Sequence, residues 1–198
     1  MEKFKNKYRI QSHRKSQWDY SNNGIYFITI VTQNRECNLG EIINGDMFLS
    51  DWGNIVNNEW LKSFEMRNEL FLDEYIIMPN HLHAIIVLDN TVGTQSDHAM
   101  PQSSSSPPNF SRKPKSISSF IAGFKSSVNS KIDDYIDVQY LNIPKYNRNN
   151  HFFQPNYHDH IVRNEIEYQR IKEYIRTNPF KWNNDKFFSQ CPESPNPK

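Results

Sequence analysis

The spacing of apolar positions changes several times along the chain, and each change marks an element. Gly24-Ile25-Tyr26-Phe27-Ile28-Thr29-Ile30-Val31-Thr32 is almost continuously apolar and rich in β-branched and aromatic side chains. That pattern predicts a strand buried on both faces. Two short segments, 41–43 and 46–49, flank Asn44-Gly45 and predict a tight hairpin. Trp52, Ile55, Val56, Trp60 and Phe64 then recur at helical spacing, behind Ser50 and Asp51, either of which can cap a helix. A strand around 70–78 leads into the turn pair Pro79-Asn80, and 81–88 reads as the next strand. Ile117, Phe120, Ile121, Phe124, Val128 and Ile132 fall at i, i+3, i+4, i+7, i+11 and i+15, an amphipathic helix. Residues 134–150 show no single period, and a strand near 138–143 is one reading of them. A last helix is expected over about 164–177, with Asn164 and Glu167 as a cap signal and Pro179 as its stop. This order predicts an α+β fold of ferredoxin-like plan, an antiparallel sheet with the helices on one face.

One stretch breaks the pattern. From about 89 to 115 the chain has Ser and Pro clusters, few apolar side chains and no period, as expected of a flexible insertion. At 198 residues, the chain is the right length for a single domain spanning 1–198 with such an addition. Aromatic residues make up 14%, too many for a chain without a core. The formal net charge of +1 hides a basic arm over 1–18, where Lys3, Lys5, Lys7, Arg9, Arg14 and Lys15 face only one acid before Asp19, Glu2. Such an arm can neutralise phosphates, although a solvated terminus has the same composition. Cys37 and Cys191 form no CxxC pair, which argues against a zinc ribbon and a secreted disulfide scaffold. The first residues lack the apolar region of a signal peptide, and the longest apolar run, 84–88, is far too short to span a membrane. A cytoplasmic, reducing location without a membrane partner is the expectation.

His81-Leu82-His83 opens the strand after Pro79-Asn80. Side chains alternate along a strand, so the two imidazoles share one face and Leu82 anchors the other. Two imidazoles so placed can bind one divalent metal. With seven histidines, such a pair arises by chance in roughly a fifth to a quarter of chains, so the motif needs support. Ile85 stands where a histidine-triad hydrolase would need a third histidine; the HxT and HxS pairs of two-histidine phosphoesterases and the HExxH of zinc proteases are absent. The last helix offers both a nucleophile and a third ligand: Tyr174 and Asn178, four residues apart, lie about one turn apart on one face. An amide oxygen beside two imidazoles suits magnesium or manganese better than a closed zinc site. A tyrosine hydroxyl beside that metal can attack a phosphodiester. With ten tyrosines, Tyr168 and Tyr157 among them, helical spacing alone does not single out Tyr174.

Several strings together are specific. They are Tyr26-Phe27-Ile28-Thr29-Ile30, Tyr75-Ile76-Ile77-Met78-Pro79-Asn80-His81-Leu82-His83-Ala84-Ile85-Ile86, Ser119-Phe120-Ile121-Ala122-Gly123-Phe124-Lys125-Ser126, and the run from Tyr157-His158-Asp159-His160 to Tyr174-Ile175-Arg176-Thr177-Asn178-Pro179. In this order, the sequence resembles the REP-associated tyrosine transposases, relatives of the single-tyrosine HUH transposases of small (IS200-like) insertion sequences. The resemblance implies a ferredoxin-like HUH endonuclease domain that binds and cuts single-stranded DNA beside a hairpin. It implies His81 and His83 as metal ligands around the hydrophobic Leu82, Tyr174 as the nucleophile and Asn178 as the residue completing the metal site. Tyr174 would attack the scissile phosphate, hold a 5′-phosphotyrosine and release a 3′-hydroxyl that can later rejoin a strand without ATP. Phe153-Gln154 stands where the family often has Trp-Gln, a conservative aromatic change.

DNA contacts are expected from Arg9, Arg14 and Lys15 of the arm, from Lys125, and from Arg163, Arg170 and Arg176 along the last helix. Solvated surface charge is the competing reading for each. The resemblance leaves monomer and dimer open, with a monomer favoured. Two other functions fit the same motifs: a hairpin-DNA-binding regulator that no longer cleaves, and a metal-dependent RNA-processing enzyme. Retention of His81, His83, Tyr174 and Asn178 argues against lost catalysis.

Overall fold

A computed structural model of the chain describes residues 18–92, 114–147 and 149–188, and the backbone of two short strands before them. The elements follow in the order β1 (Lys3–Phe4), β2 (Lys7–Tyr8), β3 (Gly24–Val31), β4 (Gly40–Ile43), β5 (Asp46–Leu49), α1 (Asp51–Glu65), β6 (Leu70–Met78), β7 (His81–Leu88), α2 (Ile117–Val138), β8 (His158–Val162) and α3 (Glu165–Thr177). Four strands form one antiparallel sheet in the order β6-β7-β3-β8. With α1 and α2 as the crossovers, this is the expected ferredoxin-like plan, and the β4–β5 hairpin is an insertion into it. Arg9, Arg14 and Lys15, and residues 93–113 of the insertion expected over about 89–115, lie outside the described residues.

The sheet has two different faces because β3 and β7 are apolar on both. Tyr26, Ile28 and Ile30 of β3 and Leu82, Ala84, Ile86 and Leu88 of β7 pack against α1 and α2 in the main core. Trp60 of α1 is its centre, with ring centroids 5.4 Å from Phe120 and 4.9 Å from Phe124 of α2. The alternate residues face the other way. Ile85, Val162, Ile25, Phe27 and Ile76 form a second, smaller cluster, closed by Ile171 and Ile175 of α3. Helices on one face only are therefore corrected: α1 and α2 cover one face, and α3 covers the other. A strand that is apolar on both sides needs both sides covered.

Local rules explain the element ends. Ser50, rather than Asp51, caps α1 by accepting from the Gly53 amide at 3.0 Å. Ser116 and Ser119 form a reciprocal capping box on α2. Asn44 and Gly45 take positive φ of 54° and 89°, as a two-residue hairpin turn requires. Asn164 caps α3 through the Glu167 amide at 2.9 Å. The strand read near 138–143 does not form: α2 runs on to Val138, and the chain beyond it is irregular. Pro179 ends α3, yet the chain continues as a 3-10 turn over Pro179–Asn184 that folds back toward the sheet. Among the described residues, no helix is long and apolar enough to cross a membrane.

Trp60→Ala is expected to destabilise the fold by about 3–5 kcal/mol through loss of this aromatic packing. Urea unfolding, compared with wild type at unchanged m-value, measures the loss.

Candidate active site

The β7 alternation sends Leu82 into the main core and His81 and His83 to the α3 face. Both imidazoles are buried, and their Nε2 atoms approach to 3.0 Å. Their Nδ1 atoms are held from behind. His81 Nδ1 lies 2.8 Å from Asn80 Oδ1. Asn80 Nδ2 donates to two backbone carbonyls, Arg35 O at 3.1 Å and Phe187 O at 2.9 Å. Carbonyls can only accept, so the amide is oriented, its Oδ1 accepts from His81 Nδ1–H, and His81 Nε2 carries a lone pair. His83 Nδ1 lies 2.7 Å from the Thr29 hydroxyl, which can donate or accept. His83 can therefore donate Nε2–H to His81, or turn a second lone pair toward a cation. Ring packing fixes the rest: Phe27 stacks on His83 at 5.2 Å and meets Tyr174 edge-on at 6.1 Å.

α3 brings Tyr174 to the pair. Its hydroxyl lies 3.1 Å from His83 Nε2 and donates to Asp185 Oδ2 at 2.8 Å. Asn178, one turn further on, is buried and donates from Nδ2 to the same carboxylate oxygen at 3.1 Å, while its Oδ1 is buried with no hydrogen-bond partner. The structure thus brings together all four residues singled out in the sequence: His81, His83, Tyr174 and Asn178. It adds Asp185. Ligand atoms of His81, His83 and Asp185 lie within 4.8 Å of one another and could hold a metal ion. Two neutral imidazoles, a carboxylate and an orphaned amide oxygen fit a divalent cation, and Asn80 and Thr29 supply the outer contacts that orient metal-binding histidines. Asp185 follows the Pro179 helix stop and belongs to no period, so spacing could not find it. A lone acid in the aromatic stretch Phe180, Trp182, Phe187 and Phe188 was the signal available.

The electrostatics suit such a site. Burial pushes the His81 imidazolium down to about 4, against the pull of Asp185, and burial pushes His83 well below its ordinary value. Both rings are neutral at pH 7, as metal ligands must be. Burial, then the Asp185 hydrogen bond and charge, raise the Tyr174 phenol. Burial pushes the Asp185 carboxyl up, but the Phe187 amide, the Tyr174 hydroxyl, the proximity of His81 and the Asn178 amide together leave it lowered.

Of the residues expected to contact DNA, Lys125, Arg163, Arg170 and Arg176 are among those described. Lys125 Nζ donates to the carbonyls of Gln154 at 2.6 Å and Asn156 at 3.0 Å, tying α2 to the segment before β8. Arg163 is exposed and follows Val162, which pairs with Ile25 at the end of β3 remote from the histidines. Arg170 is exposed, 4.0 Å from Glu167, and Arg176 donates to Glu74 at 2.7 Å. Tyr168 donates to Asp73 on β6, and Tyr157 is buried near Ser118, so neither reaches the histidines.

No protein-family model matches the chain. A Haemophilus influenzae protein described only as uncharacterized is 34% identical over 181 residues, covering 90% of this chain and 92% of the relative. Among solved structures, a REP-associated tyrosine transposase bound to a REP hairpin is similar over 87% of this chain and 74% of that chain, with a TM-score of 0.51 at 18% identity. A candidate transposase from Deinococcus radiodurans aligns over 82% of this chain and 96% of that chain, with a TM-score of 0.39 at 16% identity. The first likeness shows a shared fold, the one that the sequence resemblance implies.

The histidine shifts set a pH window for stability. An unfolded histidine binds a proton near 6.5, while folded His81 resists until about 4. Between those values the unfolded chain holds more protons, so stability falls as pH falls. Metal-free protein is expected to lose melting temperature progressively from pH 6.5 toward pH 4. Thermal melts across that range, repeated on His81→Gln and expected to show a shallower slope, check the sign.

Proposed function

This chain belongs to one family with the Haemophilus influenzae protein, and we propose that it is a metal-dependent single-stranded DNA endonuclease and strand transferase. In this reading it is a transposase of the REP-associated tyrosine type, acting beside DNA hairpins. One observation carries the proposal: the Tyr174 hydroxyl lies 3.1 Å from His83 Nε2, itself 3.0 Å from His81 Nε2, with Asp185 and Asn178 closing the same point. The shared fold with a transposase that binds a REP hairpin supports the choice of substrate.

His81, His83, Asp185 and Asn178 would hold one divalent ion, magnesium or manganese. When bound, that ion supplies charge to stabilise the phosphoryl oxygens in the transition state. The chain's own groups do the remainder. Phe27 and the α3 packing aim Tyr174 Oη at the scissile phosphorus. As the oxygen attacks, its proton passes to Asp185, which already accepts its hydrogen bond. The bond from phosphorus to the 3′-oxygen breaks and that oxygen takes up a proton from solvent, leaving a 5′-phosphotyrosine on the enzyme and a free 3′-hydroxyl. Reversal by another 3′-hydroxyl joins strands and frees Tyr174.

Incubating the protein with magnesium or manganese and a hairpin oligonucleotide labelled 3′ to the nick is expected to give a slow-migrating covalent adduct on a denaturing gel. Tyr174→Phe and His81→Ala should each abolish it. Tight hairpin binding without an adduct in wild type would instead favour the non-cleaving regulator, and an adduct formed only with RNA would favour the RNA-processing enzyme.

Asn80→Ala should weaken manganese binding by about 10- to 100-fold, because the orienting contact to His81 and the hold on the Phe187 carbonyl beside Asp185 are both lost. Titration calorimetry on the two proteins measures this.

A further inference from the structure

The edge strand β6 carries an irregularity where α3 crosses it. Its pairing with β7 runs Leu70↔Leu88, Phe71↔Val87, Leu72↔Ile86 and then Glu74↔Ile85, so Asp73 is an extra residue, a bulge in the ladder. Consecutive residues of a regular strand face opposite ways. The register shows this on either side of the bulge: Ile86, opposite Leu72, lies in the main core, and Ile85, opposite Glu74, lies in the α3 cluster. The bulge therefore gives α3 two carboxylates in succession, where a regular strand would send one of them to the core side.

Both carboxylates are used. Asp73 Oδ2 accepts from the Tyr168 hydroxyl at 2.7 Å, and Asp73 Oδ1 accepts from Lys172 Nζ at 3.0 Å. Lys172 Nζ also donates to the Tyr168 hydroxyl at 3.0 Å, so the three groups touch one another. Glu74 Oε2 accepts from Arg176 Nε at 2.7 Å. Tyr168, Lys172 and Arg176 stand at i, i+4 and i+8, one stripe along α3. The Asp73 contact is the sheltered one, with side-chain exposures of 25% for Asp73 and 19% for Lys172 against 58% for Arg176.

This stripe sets the rotation of α3. The apolar hold on the helix is Ile171 and Ile175, and apolar contact is non-directional. At about 100° per residue, Tyr174 and Lys172 lie on opposite flanks of the Ile171–Ile175 stripe. The helix is thus clipped to β6 on one flank and carries the nucleophile on the other. Turning it by about 10° moves a side-chain tip, about 5–6 Å from the axis, by about 1 Å. Tyr174 Oη lies 3.1 Å from His83 Nε2 and 2.8 Å from Asp185 Oδ2, and a displacement of that size breaks such contacts.

We propose that Asp73 is a positioning residue: by holding Tyr168 and Lys172 from its bulge, it fixes the setting of α3 at which Tyr174 Oη meets the histidine pair. The proposal rests on the proposed strand-transfer function and adds to it a residue remote from the reacting atoms. Surface pairs of this kind contribute little to stability, whereas a misplacement of about 1 Å costs on the order of 100-fold in rate. The two effects can be separated.

The test is single-turnover adduct formation by the full chain with manganese and the labelled hairpin oligonucleotide, followed over a range of oligonucleotide concentrations. Asp73→Ala is expected to lower the saturating rate by about 10- to 100-fold. The half-saturating oligonucleotide concentration and the manganese dissociation constant should stay within about twofold of wild type, and the melting temperature within about 4 °C. Lys172→Met should act alike, and the double variant should be no slower than Asp73→Ala alone, since the two residues act through one contact. A loss of rate accompanied by an equal loss of manganese affinity, or by a collapse of the melting temperature, would mark a structural role and overturn the proposal. A double variant slowed by the product of the two single effects would overturn it as well. Adduct formation at the wild-type rate in Asp73→Ala would overturn this inference alone, whereas absence of any adduct in wild type would overturn the proposed function with it.

Discussion

The register between β3 and β7 holds the site in place. Thr29 pairs with His83 and Val31 with His81, so the hydroxyl that steadies one imidazole lies directly across the strand boundary. Leu82 is locked in the main core between them. A slip of one residue would send Leu82 to the α3 face and both imidazoles into the apolar core. The cost of burying two polar rings there is what makes the register firm.

Around that pair the contacts are of two kinds. The inner shell is buried and fully directed: Asn80 uses its amide to bind Arg35 O and Phe187 O and turns its oxygen to His81. The outer attachment of α3 is of another kind. Ile171 and Ile175 supply a small apolar contact, and Tyr168 and Lys172 with Asp73 and Arg176 with Glu74 supply polar clips near the surface. Such surface pairs contribute little to stability. Tyr174 therefore sits on a helix held by a small apolar cluster and surface pairs, while His81 and His83 come from a central strand of the sheet.

Asp185 ties these parts together. It accepts from Tyr174 and Asn178, and its own segment is pinned by the Asn80 contact to Phe187 O. A single carboxylate thereby links the helix end, the 3-10 turn and β7 into one polar network. Within it, Asn178 Oδ1 is buried without a hydrogen-bond partner, and the ligand atoms of His81, His83 and Asp185 could hold a metal ion.

Much of this was legible in the sequence, and what was legible obeys local rules. Strand alternation put His81 and His83 on one face; helical spacing put Tyr174 and Asn178 one turn apart; caps at Ser50 and Asn164 and the Asn44-Gly45 turn marked element boundaries. Each depends on neighbours within a few residues, so pattern alone reveals it. Tertiary structure decided the rest. It placed α3 opposite α1 and α2, because a strand apolar on both sides does not say which helix covers which side. It extended α2 through Val138, where periodicity had faded. It spent Lys125 on the Gln154 and Asn156 carbonyls. It brought Asp185 to the histidines across a proline that ends every local pattern, since a contact between distant segments leaves no period in either of them.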